Sequence, residues 1–322
     1  MNFIDMHCDT LWKILDLDKK GNLLHNGCAV SVSKLKEADS MAQFFACFVC
    51  LADLPGETEE EKYDAGYRHV LEMADYLKTQ VRENQKDLAL AEDFDDIEQN
   101  KTEGKISAIL TVEEGGILNG KMERLEELYR QGIRLMTILW NYENCIGHPN
   151  NRDSAKMQQG LKPFGKEVVE RMGELGMIID VSHASDGTFW DVLRYQKGPV
   201  VASHSNCRAI CDHPRNLSDE MIHSLAERGG IAGLNFYGYF LDGSSESRID
   251  AMVAHMKHMI KVGGSDFPAI GTDFDGFDGM KRMEIPDIGQ MGYLAHALEK
   301  AGLTIGQIEK IWYGNVKRVL KK

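Results

Sequence analysis

Residues 177–204, MIIDVSHASDGTFWDVLRYQKGPVVASH, determine the expected fold. They contain two apolar runs, Met177–His183 and Val200–His204, and each run ends in a histidine. Between them, Thr188–Tyr195 has the spacing of apolar residues that is typical of one helix face. A strand, a helix and a second strand in this order predict two parallel strands, because the helix returns the chain to the starting edge of the sheet.

The same alternation extends over the whole chain. Six further apolar runs predict buried strands: Phe3–His7, Phe44–Leu51, Ile106–Glu113, Leu135–Trp140, Ile231–Phe236 and Phe267–Asp273. The other predicted helices are Glu60–Asn84 with a second, acidic stretch after it, Met122–Gln131, Pro163–Leu175, Asp219–Arg228, Ser247–Val262 and Met291–Ala301. Eight strands of this kind predict an α/β protein with one domain over residues 1–322, a single (β/α)8 barrel of the TIM type. An open, doubly wound sheet is the alternative.

Composition limits the classes of partner and the cellular compartment. The 322 residues include 43% hydrophobic residues and carry a net charge of -13, and such an acidic chain is not expected to bind nucleic acid or an anionic membrane. The sequence has no signal-peptide pattern and no apolar run of about 20 residues, so we expect a cytoplasmic protein. We interpret the seven cysteines as reduced thiols, including the Cys47-x-x-Cys50 pair in a strand.

Residues that commonly bind metals stand at the ends of five predicted strands. They are His7 and Asp9, Glu113, His183, His204 and Asp273. Each has a structural explanation when taken alone, such as a helix cap for an aspartate. In a barrel, however, the carboxyl ends of all strands meet on one face, where active sites lie. Imidazole and carboxylate ligands suit zinc, with manganese, cobalt or iron as alternatives, and the number of ligands favours two metals that share a carboxylate.

Several motifs follow one another in a recognisable order. They are Asp5–Asp9, Thr111–Gly116, Gly160–Gly165, Asp180–His183, Ser203–Ser205, Arg215–Asn216, Gly271–Gly276 and Gly314–Arg318. Together they resemble the motifs of the membrane (renal) dipeptidase family, peptidase family M19. The resemblance implies a distorted barrel and a binuclear zinc dipeptidase, with a homodimer as its assembly.

The resemblance also implies a ligand set with two zinc ions per chain. His7 and Asp9 would bind one zinc, and His183 and His204 would bind the other. Glu113 would bridge them, since the spacing to the segment that follows then needs no gap. Glu114 is the alternative bridging residue.

The implied reaction is the hydrolysis of small dipeptides, with a D-residue accepted at the C-terminal position. A hydroxide between the two zinc ions would attack the peptide carbonyl. Asp273 would move the proton to the leaving amine. Arg215 would bind the free carboxylate of the substrate through two hydrogen bonds.

One position departs from the family pattern. Trp140 stands where the family commonly has a histidine that helps to bind the substrate carbonyl. Asn141 or His148 could take over this substrate-binding role. Two other functions stay open: hydrolysis of N-acyl amino acids or lactones on the same metals, and a catalytically silent barrel that binds a metal or ligand.

Overall fold

The structure is a computed structural model that describes residues 1–16 and 21–321. Its strands are β1 (Phe3–Cys8), β2 (Ser40–Phe48), β3 (Leu88–Leu90), β4 (Ile106–Glu113), β5 (Ile133–Thr137), β6 (Ile178–Asp180), β7 (Val200–Ala202), β8 (Ile231–Leu234), β9 (Glu246–Ser247), β10 (Pro268–Ile270) and β11 (Arg282–Met283). Eight of them pair in parallel in the order β1-β2-β4-β5-β6-β7-β8-β10. The (β/α)8 barrel predicted from the sequence is confirmed.

The first and last strands close the barrel through a short parallel bridge between Cys8 and Phe274. The amide of Asp9 donates to the Phe274 carbonyl over 2.9 Å, and the amide of Asp273 donates to the His7 carbonyl over 3.2 Å. Because the sheet is closed, the open, doubly wound alternative is excluded. The closure also places His7 and Asp9, at the end of the first strand, next to Asp273, which follows the last strand.

Helices surround the barrel. They are α1 (Thr10–Leu15), α2 (Val32–Glu37), α3 (Glu59–Glu83), α4 (Phe94–Thr102), α5 (Met122–Arg130), α6 (Ser154–Met157), α7 (Pro163–Leu175), α8 (Asp186–Tyr195), α9 (Asp219–Glu227), α10 (Gly238–Leu241), α11 (Ile249–Gly263), α12 (Gly292–Lys300), α13 (Ile305–Glu309) and α14 (Asn315–Leu320). Within the described part of the chain, no helix has the length and apolar character needed to cross a membrane.

Two layers of apolar side chains hold the barrel together. The inner layer takes residues from every barrel strand, among them Phe44, Ile109 and Leu135, and Val316 and Leu320 of α14 pack against it. The outer layer fills the space between the strands and the helices. Since the inner layer fills the lower part of the barrel, only the carboxyl ends of the strands are left for polar chemistry.

The bounds predicted from the sequence differ from the observed ones mostly at strand ends. The run Met177–His183 contains only the three strand residues of β6, and Phe267–Asp273 contains only those of β10. Most of the other residues of these two runs are buried as well, but they form no strand pairs, and those after each strand turn over the carboxyl end of the barrel. A pattern of buried residues therefore did not show where each strand ends. Strands β3, β9 and β11 were missed, because two or three residues carry too little periodicity to predict a strand.

Candidate metal centre and substrate cavity

The six residues predicted from the sequence as metal ligands or as their neighbour Asp273 lie close together on the carboxyl face of the barrel. His7 Nε2 lies 3.3 Å from Asp9 Oδ2 and 3.9 Å from Asp273 Oδ1. The ligand atoms of His7, Asp9 and Glu113 lie within 4.8 Å of one another, and so do those of Glu113, His183 and His204. Two adjacent groups of three ligands therefore share one glutamate.

The carboxylate of Glu113 points in two directions. Its Oε2 lies 3.2 Å from His7 Nε2, whereas its Oε1 lies 3.2 Å from His183 Nε2 and 3.5 Å from His204 Nε2. The last residue of β4 thus offers one oxygen to each group of ligands. This is the geometry that a carboxylate between two cations requires.

Several polar atoms of the centre have no hydrogen-bond partner among the described residues. They are both ring nitrogens of His7, both carboxylate oxygens of Asp9 and Oε1 of Glu113, and all of them are buried. Their contacts with one another are close but do not have hydrogen-bond geometry. Buried polar atoms without partners are costly, and bound cations would satisfy them. A donor set of imidazoles and carboxylates fits divalent cations on these grounds.

The electrostatics of the centre agree with this fit. Burial raises the pKa of Glu113 to about 8, and burial together with Asp9 raises the pKa of Asp273 to about 7. Burial and nearby positive groups hold the pKa of His183 and His204 well below its usual range. Neutral imidazoles are the ligand form, and carboxylates crowded at this distance favour a cation beside them.

Neighbouring side chains orient the histidines of the second group. Ser203 Oγ lies 2.7 Å from His204 Nδ1 and donates to Asp180 Oδ2 over 2.5 Å. Asn141 Oδ1 lies 3.0 Å from His183 Nδ1. In each ring the other nitrogen faces Glu113, so these contacts determine which nitrogen is offered as a ligand.

The turn after β10 places Asp273 beside the ligands. Its backbone is left-handed (φ 60°), as is that of His183 (φ 69°), which is an uncommon conformation for residues other than glycine. The amide of Asn235 donates to Asp273 Oδ2 over 2.8 Å. Gly276 must be glycine for steric reasons, because a Cβ there would lie 2.2 Å from Asp9 Oδ2 and 2.6 Å from Asp273 Oδ1.

Glu114 turns away from the centre. Its carboxylate accepts hydrogen bonds from the amides of Gly116 and Trp140 and from the side chain of Asn144. Burial raises the pKa of Glu114 to about 7. Glu114 thus holds the loop after β4 to the loop after β5, and of the two adjacent glutamates only Glu113 reaches the histidines.

A cavity of about 430 Å³ opens above the centre. Asp9, Glu113, His183, Asp273 and Asn141 contribute to its lining, together with aromatic side chains that include Trp140. Asn141 therefore both contacts His183 and faces the cavity. A volume of this size is sufficient for a small ligand.

The two other predicted substrate-binding residues lie differently. Arg215 is buried behind the lining, where its Nη1 donates to Ser205 Oγ and its Nη2 donates to the His204 carbonyl. Its Nε has no hydrogen-bond partner among the described residues, and burial lowers the pKa of Arg215 to about 10. His148 also lies outside the cavity lining, and its Nδ1 is 2.9 Å from the Gly160 carbonyl.

Sequence reasoning missed the residues that position the centre. Asp180 lies in the quoted Asp-Val-Ser-His motif and could have been singled out, since a buried aspartate in a strand needs partners. Asn235 and Ser203 carry no such signal, because a single amide or hydroxyl in an apolar run has many structural explanations. Their roles depend on contacts between strands that are distant in sequence.

Comparisons with known proteins agree with this geometry. The sequence matches the family described as membrane dipeptidase (peptidase family M19) over residues 1–322. It is 31% identical over 299 residues to an uncharacterised dipeptidase of Schizosaccharomyces pombe, covering 90% of this chain and 71% of that protein. It is 32% identical over 233 residues to an uncharacterised protein in the pqqA 5′ region of Klebsiella pneumoniae, covering 70% and 85% respectively.

Two crystal structures are similar over almost their whole length. The dipeptidase AC, a metallo peptidase of family M19, is 25% identical with a TM-score of 0.90, covering 99% of this chain and 98% of that one. A metallo peptidase from Rhodobacter sphaeroides, liganded with a phosphinate mimic of the dipeptide L-Ala-D-Ala, is 23% identical with a TM-score of 0.88 and the same coverage. The second likeness is one of fold.

Proposed function

This chain belongs to the membrane dipeptidase family, peptidase family M19, and we propose that it is a zinc-dependent dipeptidase that hydrolyses the peptide bond of small dipeptides. The observation that carries the proposal is the position of Glu113. One of its carboxylate oxygens faces His7, and the other faces His183 and His204. A single structural salt bridge would need only one of them.

The proposed ligands divide between two cations. His7 and Asp9 would hold one zinc, His183 and His204 the other, and Glu113 would be shared. When bound, such a pair polarises the peptide carbonyl and lowers the pKa of water toward neutrality. The unpartnered nitrogens of His7 and oxygens of Asp9 support this assignment.

Three further residues would act on the substrate. Asp273 would take a proton from the attacking water and deliver it to the leaving amine, since its carboxylate lines the cavity and its Oδ1 lies 3.9 Å from His7 Nε2. Arg215 would bind the C-terminal carboxylate of the dipeptide, for which its unpartnered Nε is available. The amide of Asn141 would reach the carbonyl oxygen from the cavity lining.

The substrate would be short, because a buried guanidinium accepts a chain end but leaves no path for further residues. We propose that the C-terminal residue can have the D configuration. The relative that binds a mimic of L-Ala-D-Ala supports this choice of substrate.

The test is to purify the protein without chelator, count its metals by elemental analysis and assay L-Ala-L-Ala and L-Ala-D-Ala. About two zinc ions per chain and chelator-sensitive cleavage are expected. Metal without dipeptide cleavage would contradict the proposed substrate, and a panel of N-acyl amino acids and lactones would then identify the replacement. A protein that binds no metal after reconstitution with zinc, manganese or cobalt would contradict the proposed centre.

A further inference from the structure

Three aromatic side chains form a continuous surface on one side of the cavity. Trp12 of α1 meets the ring of Phe48 edge-on at 5.3 Å, and Phe48 meets Trp140 at 4.9 Å. All three line the cavity, and Trp140 also lies 6.3 Å from the ring of His183. We call this set, Trp12, Phe48 and Trp140, the aromatic wall.

The end of the aromatic wall formed by Phe48 stands across the barrel from Arg215. Phe48 is the last residue of β2, whereas Arg215 follows β7. In the closed order of the eight strands, β2 and β7 are four strands apart in either direction. The proposed metal centre lies between them, since its ligands follow β1, β4, β6 and β7.

This arrangement fixes the direction of a bound dipeptide. If Arg215 holds the C-terminal carboxylate and the peptide bond lies at the metal ligands, the N-terminal residue extends toward the aromatic wall. A second aromatic group lies on the side of Arg215: Tyr237 packs on Phe240 and Phe277 at 4.8 Å and 5.1 Å, and the Arg215 guanidinium lies 5.6 Å from the Phe240 ring centre. That group would contact the C-terminal residue instead.

The chemistry of the aromatic wall favours an apolar side chain. Edge-to-face rings present a rigid apolar surface that loses little entropy when it is covered. Apart from the metal centre, the charged side chains of the described cavity lining are Asp53 and Asp278, both exposed, and Asp278 is paired with Lys13 at 3.0 Å. An acidic N-terminal side chain would therefore meet carboxylates in this lining, and the neighbouring ammonium of Lys13 is already paired with Asp278.

From this geometry we propose that the aromatic wall is the subsite for the N-terminal side chain, and that it selects dipeptides with a bulky apolar residue at that position. The proposal rests on the proposed dipeptidase function. Trp140 is its specificity-determining residue, because it joins the wall to the ring of His183 beside the centre.

The experiment measures kcat/KM for the series Gly-Ala, Ala-Ala, Leu-Ala, Phe-Ala, Lys-Ala and Glu-Ala. We expect Phe-Ala and Leu-Ala to exceed Gly-Ala by about ten-fold or more, since each methylene buried in an apolar subsite contributes several-fold discrimination. In Trp140→Ala the ratio of kcat/KM for Phe-Ala to kcat/KM for Gly-Ala should fall toward one. In Trp140→Phe this ratio should stay close to that of the wild type. Zinc content would be measured in each variant to establish that the centre is intact.

A matched control comes from the second aromatic group. Phe277→Ala should keep the Phe-Ala to Gly-Ala ratio of the wild type, while it changes relative rates along the series Ala-Ala, Ala-Leu and Ala-Phe. Binding gives an independent readout: quenching of tryptophan fluorescence in the metal-loaded protein should report tighter binding of a phosphinate mimic of Phe-Ala than of the corresponding mimic of Gly-Ala, and Trp140→Phe should report the same order.

The outcomes separate the two proposals. Equal rates for Gly-Ala and Phe-Ala, or a preference for Lys-Ala through Asp53, would overturn the subsite while the dipeptidase function stands. Failure to cleave any dipeptide would overturn the function, and the fluorescence comparison of the two phosphinate mimics would still decide whether the aromatic wall selects apolar side chains.

Discussion

The side-chain amide of Asn235 donates to Asp273 Oδ2 over 2.8 Å and to the carbonyl of His204 over 3.3 Å. Asn235 is fully buried, and its backbone amide and carbonyl both pair with the side chain of Asn206. Asn235, which follows β8, therefore connects Asp273, the proposed proton-transfer group, with His204, a proposed metal ligand. Asn235 is a positioning residue for both.

Replacement of Asn235 by aspartate should disturb this connection while it preserves the size of the side chain. A carboxylate can still accept from the Tyr237 amide, as Asn235 Oδ1 does, but its second oxygen would repel Asp273. We expect kcat for dipeptides to fall about 100-fold, in the range of a lost general acid–base group, with little change in KM and with zinc content retained. Steady-state kinetics and elemental analysis measure these quantities.

Asn206→Asp is the matched control for that variant. It alters a buried asparagine that pairs with the backbone of Asn235 but makes no hydrogen bond to Asp273. A similar loss of kcat in both variants would mean that the effect reflects folding and not the position of Asp273.

The adjacent glutamates provide a second prediction. Glu113→Gln should reduce the metal content by at least one ion per chain and abolish measurable activity, because an amide supplies only one weak ligand oxygen. Glu114→Gln should retain both metals, since Glu114 contacts backbone amides and Asn144 instead. In this variant one N–H donor would face the NH2 group of the glutamine and would lose its acceptor. The free energy of unfolding should therefore fall by about 1–3 kcal/mol.

Elemental analysis and urea unfolding of the two variants decide this point. Loss of metal from Glu114→Gln with a normal metal content in Glu113→Gln would reverse the assignment of the bridging residue. Equal metal loss in both would show that the loop after β4 controls the centre as a unit.

Much of this architecture could be predicted from the sequence because each barrel strand is buried on both faces and reads as a continuous apolar run. The same property explains why His183, His204 and Asp273 could be placed on one face before their contacts were known: each follows an apolar run in a parallel sheet. The number of strands left closed and open sheets as alternatives, and the bridge between Cys8 and Phe274 decides between them.

The remaining features depend on contacts that no local pattern encodes. His148 lies in the loop after β5, where its backbone amide donates to Thr188 Oγ1 and its Nδ1 lies 2.9 Å from the Gly160 carbonyl. The neighbours of Trp140 therefore differ in position: Asn141 lines the cavity beside it, whereas His148 does not. The direction of Asn141 is likewise determined by His183, 42 residues away.

A third prediction concerns acid sensitivity of the folded state. His255 of α11 is buried, accepts a hydrogen bond from the Cys207 amide at Nδ1, and has Nε2 2.7 Å from the Leu241 carbonyl. Burial lowers the pKa of His255 from 6.5 to about 4. Above about pH 6.5 the imidazole is neutral in both states, so its full contribution to stability is present; below that, only the unfolded chain gains a proton, and stability falls until about pH 4.

The depressed pKa of His255 should cost the folded state about 3 kcal/mol between pH 7 and pH 4. Urea unfolding of the wild type and of His255→Gln at several pH values measures this loss. Since all other titrating groups are shared, the difference between the two proteins isolates the imidazole. A variant whose stability falls as steeply as that of the wild type would show that His255 does not contribute to the acid sensitivity.

The last prediction concerns Arg215, whose guanidinium donates to Ser205 and to the His204 carbonyl and keeps Nε unpaired. A lysine could keep the charge but not these several donors in one plane. Arg215→Lys should therefore raise KM for dipeptides by about 10–100-fold, the cost of hydrogen bonds to a charged group, and should affect kcat less. A dipeptide amide, which lacks the carboxylate, should be a poor substrate for the wild type and should lose little further in the variant. If the variant loses activity on dipeptide and dipeptide amide by the same factor, Arg215 supports the loop that carries His204 and does not bind the chain end.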